Sequence, residues 1–265
     1  MTAVLLDGLG IPESLRWHDG RLWFCNWTTG DVVAIGADAT SEIVAHVPTT
    51  IPYSIDWLPD GTLLIVSGQE GLVLRQQPDG SLVTHADVTR FGIVNEIVVD
   101  GEGNAFVNGE VVLLVRPNGS VQQVADGIAF GNGMALLPDG RTLIVAESHA
   151  NRLTAFTVEA DATLSHRRVW AELDAAPDGI CVDADGAIWS ASVPGRHCVR
   201  VREGGEVAQT VGADRGAFAC TLGGADGRTL YIGTAEWHGM DAMFGTVATG
   251  QLVTERVAVP HAGRP

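Results

Sequence analysis

Short apolar runs separated by polar, glycine-bearing turns recur from one end of the chain to the other. The stretches WHDGRLWFCN, LPDGTLLIVS, DGEGNAFVNG, LPDGRTLIVA, DADGAIWSAS and GADGRTLYIG each place a β-prone run directly after a turn. Their turn glycines, Gly20, Gly61, Gly103, Gly140, Gly186 and Gly227, follow one another at intervals of 41, 42, 37, 46 and 41 residues. Asp-Gly between two apolar runs supplies the positive φ angles of a tight hairpin, so each turn is expected to join two strands. Later segments such as GLVLRQQPDGSLVTHA and NRLTAFTVEADATLSHRRVWAE read as further hairpins, which makes about four strands per unit. Repeats of this length and strand content predict an all-β fold, a six-bladed β-propeller around a central channel, with residues 1–265 as one domain. A β-sandwich accounts less well for a turn recurring at nearly constant spacing.

A ring built this way must hide its last sheet edge, because an open edge invites association. MTAVLLDG has an apolar run with no unit of its own, and TGQLVTERVAVP ends the chain in strand-like residues. The N-terminal run is therefore expected to complete the blade made by the C-terminal strands.

Aligning the units on their turns exposes a second periodicity. The strand entering each turn is expected to begin at Glu13, Ser54, Asn95, Asn132, Asp178 and about Cys220. Taken singly, such Asp, Asn and Glu residues read as turn formers or strand caps. Together they share one repeat phase, at the start of the strand that lines the channel. Two carboxylates with carboxamide oxygens suit a hard divalent cation at a central metal site, calcium before magnesium or manganese, with zinc less natural.

Composition narrows the partners. Sixteen Lys and Arg against 32 Asp and Glu leave a formal net charge of −16, which disfavours nucleic acid and anionic membrane as partners. No basic region precedes a long apolar stretch, and no window nears the roughly 18 apolar residues of a membrane span, so a cytoplasmic location is the simplest expectation. Cys25, Cys181, Cys198 and Cys220 lack CxxC spacing and are expected to be small buried hydrophobes. No GxSxG or HExxH pattern supports a serine hydrolase or a zinc protease, and the glycine turns lack a phosphate-loop Lys.

The segments PESLRW with GRLWF, GNGMALLPDGRTLIVAES with NRLTAFTV, and RRVWAELDAAPDGICVDADGAIWSA resemble the regucalcin, or senescence-marker-protein/gluconolactonase, family of six-bladed propellers. The resemblance runs along nearly the whole chain and includes GGEVAQTV and RGAFACTLGGADGRTLYI. It implies that Glu13, Asn132 and Asp178 hold one divalent cation, usually calcium, and that Asn95 binds substrate or a metal-bound water. It further implies a lactonase acting on a small-molecule lactone or ester: the cation polarises the carbonyl while a carboxylate takes a proton from water. Asp178 is the candidate base, with Glu13 as the alternative, and His149 is a candidate substrate contact at the channel mouth.

The third unit departs from the sugar lactonases. Where that group carries Arg before the Asn and Asp-Gly after it, this chain has Ile93 and Glu96-Ile97, and its loop is short. A less polar lactone or ester is the resulting expectation. The alternative is a non-catalytic propeller that binds calcium or a protein partner, since fold does not dictate chemistry. The oligomeric state is not specified by these patterns.

Overall fold

A computed structural model describes residues 2–48, 51–239 and 248–263. β1 (Ala3–Leu9) is followed by a first unit of β2 (Pro12–His18), β3 (Arg21–Asn26), β4 (Asp31–Ile35) and β5 (Ser41–His46). The second unit is β6 (Tyr53–Trp57), β7 (Leu63–Ser67), β8 (Leu72–Gln76) and β9 (Leu82–Asp87). The third is β10 (Ile97–Val99), β11 (Ala105–Asn108), β12 (Val112–Val115) and β13 (Val121–Ala125). The fourth is β14 (Gly131–Leu136), β15 (Thr142–Glu147), β16 (Arg152–Val158) and β17 (Leu164–Glu172). β18 (Ile180–Val182), β19 (Ile188–Ser192), β20 (His197–Val201) and β21 (Val207–Gly212) make the fifth, and β22 (Gly216–Gly223), β23 (Thr229–Ala235) and β24 (Gly250–Arg256) complete the described strands. Each unit is one antiparallel four-stranded sheet, and the first strands β2, β6, β10, β14, β18 and β22 neighbour one another around the axis. The fold is a six-bladed β-propeller. Among the described residues no helix is long and apolar enough to cross a membrane.

The ring closes as the terminal sequences suggested. The last sheet runs β22-β23-β24-β1, with Ala3 opposite Thr254 and Leu9 opposite Gly250. Hydrophobic clusters fill the seams between blades. Trp23, Cys25, Tyr53 and Ile65 join the first and second blades, while Leu15, Phe24, Ala219 and Leu252 join the first to the sixth. Strands in such seams are buried on both faces, which explains apolar runs such as LLIVS and VLLV that lack polar alternation.

All six turn glycines have positive φ, between 65° and 85°. In the first turn Asp19 also has a positive φ, whereas in the other five the residue before the glycine does not. Those turns use a type I bend closed by the left-handed glycine. In the second unit Gly61 N–H donates to the Leu58 carbonyl, and Asp60 Oδ1 accepts from Thr62 N–H at 2.9 Å.

The four cysteines are free and buried, as expected, and three of them meet. Cys181, Cys198 and Cys220 pack in one apolar cluster between the fifth and sixth blades. The sixth inner strand begins at Gly216, so Cys220 lies within β22 and not at its start. Its sulfur faces the Gly179 and Trp189 carbonyls at 3.6 and 3.5 Å, inside the seam. The sixth blade therefore gives no axial ligand at that position.

Two glycines let the inner strands approach closely. A Cβ on Gly133 would stand 2.5 Å from Ile180 N and 2.6 Å from the Asp178 carbonyl, which accepts the Gly133 N–H. One on Gly179 would stand 2.7 Å from Ala219 Cα, where Gly179 N–H donates to the Phe218 carbonyl. Asp178-Gly179 is thus a point of blade contact, unlike the turn at Asp185-Gly186.

Two outcomes follow from this geometry. Deleting residues 2–6 strips β1 from the sixth sheet and unpacks Leu5 and Leu6, lowering stability by roughly 2 kcal/mol in a thermal or urea melt; an unchanged transition would contradict closure by this strand. Gly133→Ala forces the fourth and fifth blades apart, and its destabilisation of about 1–3 kcal/mol should exceed that of Gly212→Ala, where an added Cβ meets nothing within 4 Å.

Candidate metal and hydrolytic site

Local backbone irregularity aims the axial side chains. Between Glu13 and Arg16 the pairing of β2 with β3 shifts register, and Ser14 at that point has φ 48°. Such a bulge lets residues that would alternate in a regular strand address the same space. Glu13, Ser14 and Arg16 are all buried as a result. A similar shift occurs between Gly131 and Met134, on either side of Asn132. Asn95 and Asp178 each lie two residues ahead of their inner strands, β10 and β18, and not at the first strand position.

The site residues are held largely by backbone. Asp178 N–H donates to the Ala191 carbonyl, and Ser148 Oγ donates to the Pro177 carbonyl at 2.6 Å. Asn132 Nδ2 donates to the same Ser148 Oγ at 3.4 Å, so one hydroxyl links the carboxamide of the fourth blade to the chain entering Asp178. Asn95 Nδ2 donates to the Gly131 carbonyl at 3.2 Å, and the Asn95 carbonyl accepts from Ser54 Oγ at 2.8 Å. Glu13 Oε2 accepts the Ser14 N–H at 2.9 Å.

Electrostatics set this cluster apart. Burial raises the pKa of Glu13, and the neighbouring Asp178 charge raises it further. Burial likewise raises Asp178, Glu96 adds to that shift, and a hydrogen bond with the Asn132 side chain opposes it. Asp178 Oδ1 is buried without a hydrogen-bond partner, a costly state for a carboxylate oxygen. Two buried carboxyls that oppose each other's ionisation, one with an unsatisfied oxygen, beside a carboxamide, form a donor set suited to a hard divalent cation. Among the described residues no three His, Cys, Asp or Glu side chains form a ligand cluster, so the set depends on Asn132 as well as on its two carboxylates.

The sequence did not foretell the neighbouring polar network. Arg16 Nη2 donates to Glu96 Oε1 at 2.9 Å and to the Ile97 carbonyl at 2.8 Å, which ties the first blade to the third. Ser14 Oγ accepts the Ile55 N–H at 3.0 Å and donates to Glu96 Oε1 at 3.4 Å. Asp56 Oδ2 accepts the Val99 N–H at 2.7 Å, and burial lifts the Asp56 pKa to about 6. Arg16, Glu96 and Asp56 are each at most 7% exposed. Charged residues inside an inner-strand run, as in ESLRW and SIDW, were the available signal.

His149 does not join the inner group. It is exposed and stacks on Phe130 with ring centroids 4.6 Å apart, on the segment leading to Asn132. Phe130 is 46% exposed and Ile93 is 54% exposed, two residues before Asn132 and Asn95 respectively. A cavity of about 540 Å³ opens instead at the turn end of the inner strands, lined by Arg16, His18, Asp56, Trp57 and Asp100. It lies away from Glu13 and Asp178, which stand at the opposite ends of their units.

Residues 11–236 match the SMP-30/Gluconolactonase/LRE-like region. The chain is 33% identical over 135 residues to regucalcin of Danio rerio, a match covering 48% of this chain and 45% of that protein. It is 27% identical over 284 residues to pentonolactonase XacC of Haloferax volcanii, covering 100% of this chain and 96% of that protein. The solved structure of a calcium-binding protein, regucalcin, from Agrobacterium tumefaciens superposes with a TM-score of 0.82 at 18% identity, over 99% of this chain and 95% of that one. With most of its length matched and the propeller shared, the chain belongs to the SMP-30/gluconolactonase/LRE-like family.

Proposed function

We propose that this protein is a divalent-cation-dependent lactone hydrolase. The observation that carries the reading is the uncompensated pair of buried carboxyls, Glu13 and Asp178, with Asp178 Oδ1 left without a partner. Arg16, the nearby cation, is already paired with Glu96. Family membership and the likeness to a pentonolactonase support the reaction class.

Glu13, Asn132 and Asp178 would hold the cation, with calcium the first candidate and magnesium, manganese or zinc as alternatives. Bound there, the cation supplies a Lewis acid that polarises a lactone carbonyl and stabilises the oxyanion. Asn95 orients the substrate: with Nδ2 donated to the Gly131 carbonyl, its Oδ1 is left to accept from a substrate hydroxyl or a water. Phe130, backed by His149, and Ile93 expose apolar surface two residues before Asn132 and Asn95. That surface, and Ile93 where sugar lactonases carry Arg, favour a lactone or ester less polar than gluconolactone.

The decisive assay follows proton release over sugar lactones, aliphatic and aryl-substituted lactones and simple esters, with chelator and then re-added metals. Turnover that chelation removes and one cation restores is expected, with apolar lactones ahead; silence across the panel with metal bound would favour a binding propeller. Asp178→Asn should lower turnover by at least about a hundredfold and abolish tight metal binding together. Burial and mutual repulsion hold Glu13 and Asp178 protonated above the ordinary carboxylate range, whereas a cation needs both ionised. Calcium affinity should therefore rise as the pH climbs above the ordinary carboxylate range, with proton release on binding, and calorimetry in buffers of different ionisation enthalpy measures both.

A further inference from the structure

Beside the proposed cation ligands stands a third buried carboxylate, Glu96, that the ligand set does not use. It follows Asn95 directly, and its charge acts on both Glu13 and Asp178. Three donors converge on its Oε1: Arg16 Nη2 at 2.9 Å, the Ile97 N–H at 2.9 Å and Ser14 Oγ at 3.4 Å. The backbone is equally fixed, since Glu96 N–H donates to Asn108 Oδ1 at 3.1 Å and the Glu96 carbonyl accepts the Asn108 N–H. None of the three donors on Oε1 engages Oε2, and Ser14 bridges this carboxylate to Glu13 through its hydroxyl and its amide.

Such an arrangement suits a proton acceptor better than a ligand does. A carboxylate oxygen that binds a cation cannot also take a proton, which weakens Asp178 and Glu13 in that role, whereas Oε2 of Glu96 is engaged by none of the donors on Oε1. Glu96 keeps its place through Arg16, whose Nη1 and Nη2 are further anchored on the Leu15 and Ile97 carbonyls. Arg16 is thereby a positioning residue: its guanidinium holds Oε1 of Glu96 and leaves Oε2 outside that contact.

We propose that Glu96, through Oε2, is the general base of the hydrolase reading on which this inference rests. Glu96 takes a proton from the attacking water as the water oxygen bonds to the lactone carbonyl carbon. The ring C–O bond then breaks, and the departing alkoxide oxygen recovers that proton from Glu96, leaving a hydroxy acid and the original carboxylate. No redox partner or co-reactant beyond water is needed.

The test compares Glu96→Gln with the wild type on whichever lactone or ester the wild type turns over, and measures calcium binding by calorimetry alongside. Glu96→Gln retains the size and a hydrogen bond to Arg16. At saturating calcium it should lower kcat by roughly 10²–10⁴-fold, with KM within about threefold and calcium still bound. Added hydroxylamine, a nucleophile that needs no proton removed before attack, should restore turnover above the uncatalysed background. A kcat within about threefold of wild type overturns the assignment, and so does loss of calcium binding in step with activity, which would make Glu96 a ligand. Should Glu96→Gln fail to fold, Arg16→Met with Glu96→Gln removes both buried charges together, and the same split between kcat and calcium affinity decides. A wild type silent on every substrate with calcium bound overturns the hydrolase reading and this role with it, whereas an active wild type equalled by Glu96→Gln overturns this role alone.

Discussion

Antiparallel pairing of β1 with β24 places the two ends of the chain in one sheet, and the arrangement at the axis depends on it. A propeller has no single core. Its apolar surface is divided among seams between adjacent blades, and the seam between the first and sixth blades exists only when the ring is closed. That seam carries Leu15, between Glu13 and Arg16, and Ala219, on which Gly179 packs. Closure therefore holds Glu13 and Asp178, which are 165 residues apart in sequence, in one site.

Within the closed ring, charge is divided between two neighbouring systems. Glu96 is neutralised by Arg16 and crosses the channel from the third blade to the first. Glu13 and Asp178 lack such a partner, so each makes ionisation of the other costly. A buried ion pair and an unpaired buried carboxylate differ greatly in energy, because removing a charge from water is repaid only by a close counter-charge. The first system thus carries its own counter-charge, while the second has none paired with it. Their adjacency places a paired carboxylate beside two carboxyls that have no ion-pair partner.

Much of the fold was legible in the chain because it is repetitive. A left-handed glycine at each inner hairpin and apolar runs in every unit point to one blade, and six copies in series point to a ring. One repeat phase singled out Glu13, Asn95, Asn132 and Asp178, and the structure places all four within or just ahead of the first two positions of an inner strand. Cys220 shows the limit of that reasoning: β22 begins early, and the residue at the shared phase turns into the seam toward Gly179. His149 carries no such phase, and its exposed ring stacks on Phe130, two residues before Asn132.

By itself the sequence determined the blade repeat, the approximate number of strands in each blade and the strand that closes the ring, because each follows from local periodicity and residue type. The tertiary structure alone decided which charges become partners. Arg16 and Glu96 are 80 positions apart and belong to blades that are not adjacent, so no period relates them. A bulge at Ser14 and the meeting of inner strands at the channel brought them together. The same convergence left Asp178 Oδ1 unpartnered, since a side chain's surroundings in a ring are set by blades far away in sequence.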